Sequence, residues 1–137
     1  MPHFQAVYYR DVKGVEPVNK FIENLDSDRQ VVLENQIDRL NLLSDQIPHL
    51  PFPHTSQVEG ELRELRAHYG REHYRVLYRR SGRLIVLLHM FEKRSGKIPE
   101  GEKRIARSAG LISGIVWTHS PGPRLEPPAT TLREGRY

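Results

Sequence analysis

The stretch that most constrains this chain runs from Gly60 to Pro99, GELRELRAHYGREHYRVLYRRSGRLIVLLHMFEKRSGKIP. It reads as three consecutive strands. Leu62–Arg66 is a short first one, and Ala67–Glu72, with its Gly70, is the connection. His73–Arg80 alternates Tyr74, Val76 and Tyr78 with Arg75, Leu77 and Arg79, the period of two that a half-buried strand requires. Ser81-Gly82 marks a hairpin turn. Arg83–Phe91 is the most apolar segment, as expected of a central strand covered on at least one face.

Charge separates along the chain in the same way. Residues 1–60 carry five Lys/Arg against nine Asp/Glu, whereas residues 61–107 carry thirteen against six. A solvated surface ordinarily mixes both signs, so cations gathered on the sheet-forming half point to an anionic partner. Other classes drop out. With no cysteine there is no disulfide framework, thiolate metal site or cysteine nucleophile. The longest apolar run, Leu84–Leu88, is far short of a membrane span. MPHFQAVYYRD lacks the basic-then-apolar order of a signal peptide, and the expected location is the cytoplasm.

Around this stretch, Phe4–Tyr9 reads as a first strand. Pro17 suits the first position of a helix, whose apolar face is Val18, Phe21, Ile22 and Leu25. Ser27-x-x-Gln30 has the form of a capping box and opens a second helix, burying Leu33, Ile37, Leu40 and Leu43. Pro48, Pro51 and Pro53 make Ile47–Gln57 a loop. Pro99 opens a further helix, with Glu100 and Glu102 near its positive end and Lys103, Arg104 and Arg107 beyond. The expected fold is α+β in the order β-α-α-β-β-β-α: a small, mostly antiparallel twisted sheet, two N-terminal helices on one face and a C-terminal helix. Residues 1–107 form the expected domain. Residues 108–137 form an atypical tail, in which Leu111–Trp117 reads as one more strand and the proline-rich Ser120–Tyr137 as disordered or loosely attached.

Several side chains could carry chemistry. Arg75 lies mid-strand, where a cation either pairs with Glu64 on the neighbouring strand or joins a cluster. Strand parity lets Glu64, Arg66, Arg75, Arg79, His89 and Phe91 share a face, with Lys93, Arg94 and Lys97 just past the strand end. Guanidinium groups bind phosphate bidentately and stabilise charge developing in phosphoryl transfer. His89 is either a semi-buried core residue or a proton carrier at the cleft, and Phe91 either core or a platform for a stacked base. His68 and His73 flank a turn. His49 and His54 lack a convergent third ligand, so no metal site and no cofactor is expected.

ELRELR, a glycine, YRVLYRRSGRLIVLLHMFEKRSGKIP and the acidic-to-basic helix together resemble the RelE/ParE toxin superfamily, most closely its HigB-type, phage-derived Gp49-like members. The resemblance covers residues 4–107. It implies a RelE-like fold and the toxin of a type II toxin–antitoxin pair, which cuts mRNA in the ribosomal A site without a metal and so halts translation. It also implies a helix-turn-helix antitoxin as partner, operator DNA being bound only through that complex. Arg75 falls on the strand arginine at the scissile phosphate, and Arg66, Lys93 and Arg94 fall on basic positions around the cleft. RelE's C-terminal tyrosine has no counterpart in Lys97–Glu100, and its strand lysines are replaced by Leu62 and Glu64. Glu64 and His89 are therefore candidates for base and acid on their own chemistry, beside Arg75 and Arg94. The alternative is a non-catalytic toxin of the ParE kind, which binds and inhibits DNA gyrase.

Overall fold

The computed structural model describes residues 3–94 and 96–119. Its centre is a five-stranded sheet formed by β1 (Gln5–Tyr8), β2 (Thr55–Glu59), β3 (Leu62–Tyr69), β4 (Glu72–Ser81) and β5 (Leu84–Lys93). The strand order is β1-β5-β4-β3-β2. Only β1 pairs in parallel, with β5, and the other neighbours are antiparallel. The sheet is thus a run of hairpins with the N-terminal strand added beside the most apolar one.

Helices α1 (Pro17–Glu23) and α2 (Ser27–Leu40) cover one face, and α3 (Glu100–His119) lies on the other. The expected helix faces are the ones that pack: Val18, Ile22, Leu33, Ile37, Leu40 and Leu43 are buried with Val76, Tyr74 and Tyr78 of β4. Leu77, Val86 and Leu88 point the opposite way and meet Ala106 and Ala109 of α3 in a second, smaller core. β5 is therefore apolar on both faces, which is why it lacks a clean alternation.

The structure differs from expectation at several elements. The loop assigned to Ile47–Gln57 ends earlier, because Thr55–Gln57 belong to β2, which pairs with Arg63–Leu65. Gly60, at φ +52°, supplies the positive φ that a two-residue hairpin turn needs at its first position, so a strand can form directly after the prolines. The connection assigned to Ala67–Glu72 shrinks to Gly70-Arg71, and both flanking strands extend into it. Leu111–Trp117 lies in the helix α3, not in a strand. Ser120–Tyr137 lies outside the described residues.

The cap of α2 differs as well. Asp26, not Ser27, is the N-cap, and its Oδ1 accepts from the Arg29 N–H at 3.0 Å. The Gln30 amide does not close a box with Ser27; it donates to the carbonyls of Ile22 and Leu25 and ties α1 to α2. An acidic side chain also suits the positive end of the helix. Asp26→Ala is expected to cost about 1 kcal/mol in urea unfolding, while Ser27→Ala should leave the midpoint nearly unchanged.

A clamp fastens α2 to the β3–β4 turn. Arg29 donates to both carboxylate oxygens of Glu72, from Nε at 2.6 Å and Nη2 at 2.8 Å, and the Tyr74 hydroxyl donates to Glu72 at 2.7 Å. Chiefly through the Arg29 bonds, and then that of Tyr74, the Glu72 carboxyl is held down at about 2. A carboxyl whose pKa is lower folded than unfolded stabilises the fold above its unfolded value, and the contribution disappears as pH falls through its folded one. The stability difference between wild type and Glu72→Gln should therefore be full at neutral pH. It should shrink between about pH 4.5, the ordinary value, and pH 2, read as melting temperature against pH.

Candidate anion-binding and catalytic site

The register of the three central strands lines up the candidate residues in rows on the face away from α1 and α2. Glu64, Leu77 and His89 form one row; Arg66, Arg75 and Phe91 the next; His68, His73 and Lys93 the last. A bulge at Leu77/Tyr78 keeps Leu77 level with His89 while Leu88 also turns to the α3 side. α3 and its acidic first turn approach the first row. Glu102 meets His89 there, Oε1 to Nε2 at 2.5 Å.

The middle row is electrostatically unusual. Arg66 and Arg75 are direct cross-strand partners, and like charges in that position repel. One carboxylate offsets the repulsion. Glu64, only 4% exposed, places Oε1 3.1 Å from Arg75 Nε and Oε2 3.0 Å from Arg66 Nη2. The Ser56 hydroxyl donates to the same Oε2 at 2.5 Å. Arg75 Nη1 donates to the Tyr74 carbonyl at 3.2 Å, so the guanidinium is held from two sides. Burial pushes the Arg75 pKa below its ordinary value, against the pull of Glu64; an arginine nonetheless stays charged. Arg75 thus pairs with Glu64, and through Glu64 it stands beside Arg66.

These arginines border a cavity of about 490 Å³ at the edge of β3, beyond the start of β2, to whose lining Gln36 and Arg39 of α2, Pro53, His54, His68 and His73 also contribute. Gln36 donates to the Arg66 carbonyl at 2.8 Å and contacts His54 Nδ1 at 3.2 Å. Phe52, 71% exposed, presents its ring to the Arg66 guanidinium at 4.9 Å.

The remaining candidates are distributed unevenly. His89 stacks on Phe91, ring centres 5.8 Å apart, and its Nε2 is held by Glu102. Phe91 is buried in the core beneath α3, so the exposed aromatic at the site is Phe52. Lys93 stands opposite His73. Arg94 and Lys97 are exposed on the loop leading to α3. Arg79 is apart from the cluster: it pairs with Glu61 at 3.1 Å and lines a second cavity with Leu88 and Arg107. Reading the sequence missed His68, His73 and Phe52. The signal for the histidines was the parity that placed Arg66 and Arg75 together, carried one step further along the hairpin. Among the described residues no three His, Asp or Glu side chains converge as a metal site.

Residues 20–109, about two thirds of the chain, match the family described as phage-derived protein Gp49-like (DUF891). The chain belongs to this family. The Gp49-like family is related to the RelE/HigB-type toxins, which makes the toxin half of a toxin–antitoxin pair, with an antitoxin as partner, the function that membership points to. No curated protein matches the chain. No described helix of this Gp49-like protein is long and apolar enough to cross a membrane.

Proposed function

We propose that this Gp49-like protein is an endoribonuclease toxin that cleaves mRNA on the ribosome without a metal cofactor. The observation that carries the reading is the Arg66–Arg75 pair: two arginines set directly opposite each other on adjacent strands, both in contact with one buried carboxylate. Folding gains nothing from placing like charges there, whereas a phosphodiester gains two pre-aligned donors. The reaction is attack of a ribose 2′-OH on the adjacent phosphate, leaving a 2′,3′-cyclic phosphate and a 5′-OH. Arg66 and Arg75 hold the phosphate and stabilise the charge that builds on it. Lys93, Arg94 and Lys97 extend the positive surface along the RNA backbone, and Phe52 offers a face on which a base can stack.

Glu64 acts in this scheme by aligning the guanidiniums, since its Oε2 accepts from Ser56 and Arg66 and its Oε1 faces Arg75 Nε in an ion pair. Holding the mRNA in one orientation on the ribosome supplies much of the remaining acceleration. Weak activity on free RNA is therefore expected. The antitoxin, through a helix-turn-helix module, would cover the cationic face or bar entry to the ribosome.

The test is induced expression in a bacterial host with mapping of RNA 5′ ends on a reporter transcript. Growth arrest accompanied by ribosome-dependent cuts within the coding region is the expected result. Arrest with intact mRNA would overturn the reading and favour a toxin that acts by binding, with DNA gyrase as the first target to assay.

A further inference from the structure

We propose that His68 and His73 are the proton-transfer pair of this site, one accepting the 2′-OH proton and the other protonating the leaving 5′-oxygen. This rests on the RNA-cleavage reading above. The two residues are direct cross-strand partners on β3 and β4. Gly70, at φ +59°, closes the two-residue turn that holds the strands in that register. Two residues further from the turn on each strand lie Arg66 and Arg75, so by parity all four side chains project from one face. A step of two residues is about 7 Å along a strand, which sets the imidazoles beside a phosphate held by the guanidiniums. All four side chains line the same cavity.

The ring centres of His68 and His73 are 6.1 Å apart, with planes tilted by 40°. In an in-line displacement the attacking and leaving oxygens stand on opposite sides of phosphorus. The groups that handle their protons must stand apart as well, and two rings at this separation can bracket one phosphate. Both histidines are exposed, which leaves their ring nitrogens accessible to a substrate. The other proton carriers at the site are already engaged: Glu64 by hydrogen bonds from Ser56 and Arg66 and an ion pair with Arg75, His89 Nε2 by Glu102, and the His54 ring nitrogens by Gln36 and Arg39. An exposed pair on a hairpin is ordinarily just solvated. What distinguishes this one is the arginine pair in the adjacent row.

The step balances with no further reactant. The 2′-oxygen–phosphorus bond forms and the phosphorus–5′-oxygen bond breaks. The 2′-OH proton passes to the neutral imidazole, and the imidazolium gives its proton to the 5′-oxygen. The pair ends with protonation exchanged and resets through solvent.

The experiment is single-turnover cleavage of ribosome-bound mRNA by wild type, His68→Asn and His73→Asn, with ribosome binding and melting temperature measured alongside. Each variant is expected to lose cleavage by about 10²-fold or more while keeping its fold and its binding. A second substrate carries sulfur in place of the 5′-bridging oxygen at the cut. A thiolate leaves without protonation, so this mRNA should restore cleavage to one variant, the acid, and not to the other. Cleavage by both variants within a few-fold of wild type would overturn the assignment while leaving the ribonuclease reading intact. Loss in both with no rescue in either would also overturn it. A wild-type protein that does not cut ribosome-bound mRNA would remove the underlying reading, and the pair's role with it.

Discussion

Arg75→Ala should abolish growth arrest and lower single-turnover cleavage of ribosome-bound mRNA by about 10²- to 10³-fold, the usual effect of deleting one preorganised donor from a phosphoryl or oxyanion site. Arg75 is only 8% exposed and already oriented by Glu64 and the Tyr74 carbonyl, so little reorganisation accompanies charge development on the substrate. Arg75→Lys should restore a small part of the rate, because an ammonium provides charge without the planar fork. Arg66→Ala should cost less, since that side chain is about one third exposed and its contact with Glu64 is partly screened. The stability loss in Arg75→Ala should be about 1–3 kcal/mol, because Ser56 and Arg66 remain on the carboxylate. Circular dichroism and urea unfolding would separate this from global unfolding. A toxin acting on gyrase by binding elsewhere on its surface would keep its toxicity in Arg75→Ala.

Much of this was legible in the residues, for reasons that also explain the failures. Apolar spacing marked both N-terminal helices and the two long strands, because burial on one face imposes a period that survives in any context. The three hairpins share one signal, a glycine followed by a charged residue: Gly60-Glu61, Gly70-Arg71 and Gly82-Arg83. Only the last was read closely as a turn, and even there the pair assigned was one residue early. Treating Gly70 as part of a longer connection cut β3 short and moved His68 off the sheet, which hid its pairing with His73 at the start of the next strand. Asp26 and Ser27 are both good caps, and Gln30 three residues after Ser27 imitates a box; the choice between them is made by how α1 delivers the chain. The position of α3 depends on tertiary packing alone. It decides that Phe91 is covered and that Arg79, on the same face as Arg75, pairs with Glu61 beside a different cavity.

Glu64 gives the sharpest separation between a residue that moves a proton and one that holds others in place. Glu64→Ala should be among the most destabilising single changes at the site, about 3–5 kcal/mol, because it leaves Arg75 buried without its carboxylate and Arg66 directly opposite it. The double variant Glu64→Ala/Arg75→Ala should lose less than the sum of the two single losses, with a coupling of about 1–3 kcal/mol in urea unfolding. Glu64→Gln retains the shape and one acceptor oxygen for the two guanidiniums. If Glu64 aligns Arg66 and Arg75, this variant should keep cleavage within about 10-fold of wild type, since the donors stay close to their positions. If Glu64 instead took the 2′-OH proton, the same substitution would remove the acceptor and cost about 10²–10⁴-fold. The buried contact with Ser56 and both arginines favours alignment: a carboxylate that accepted a proton would weaken its hold on the cations at the moment negative charge builds on the phosphate.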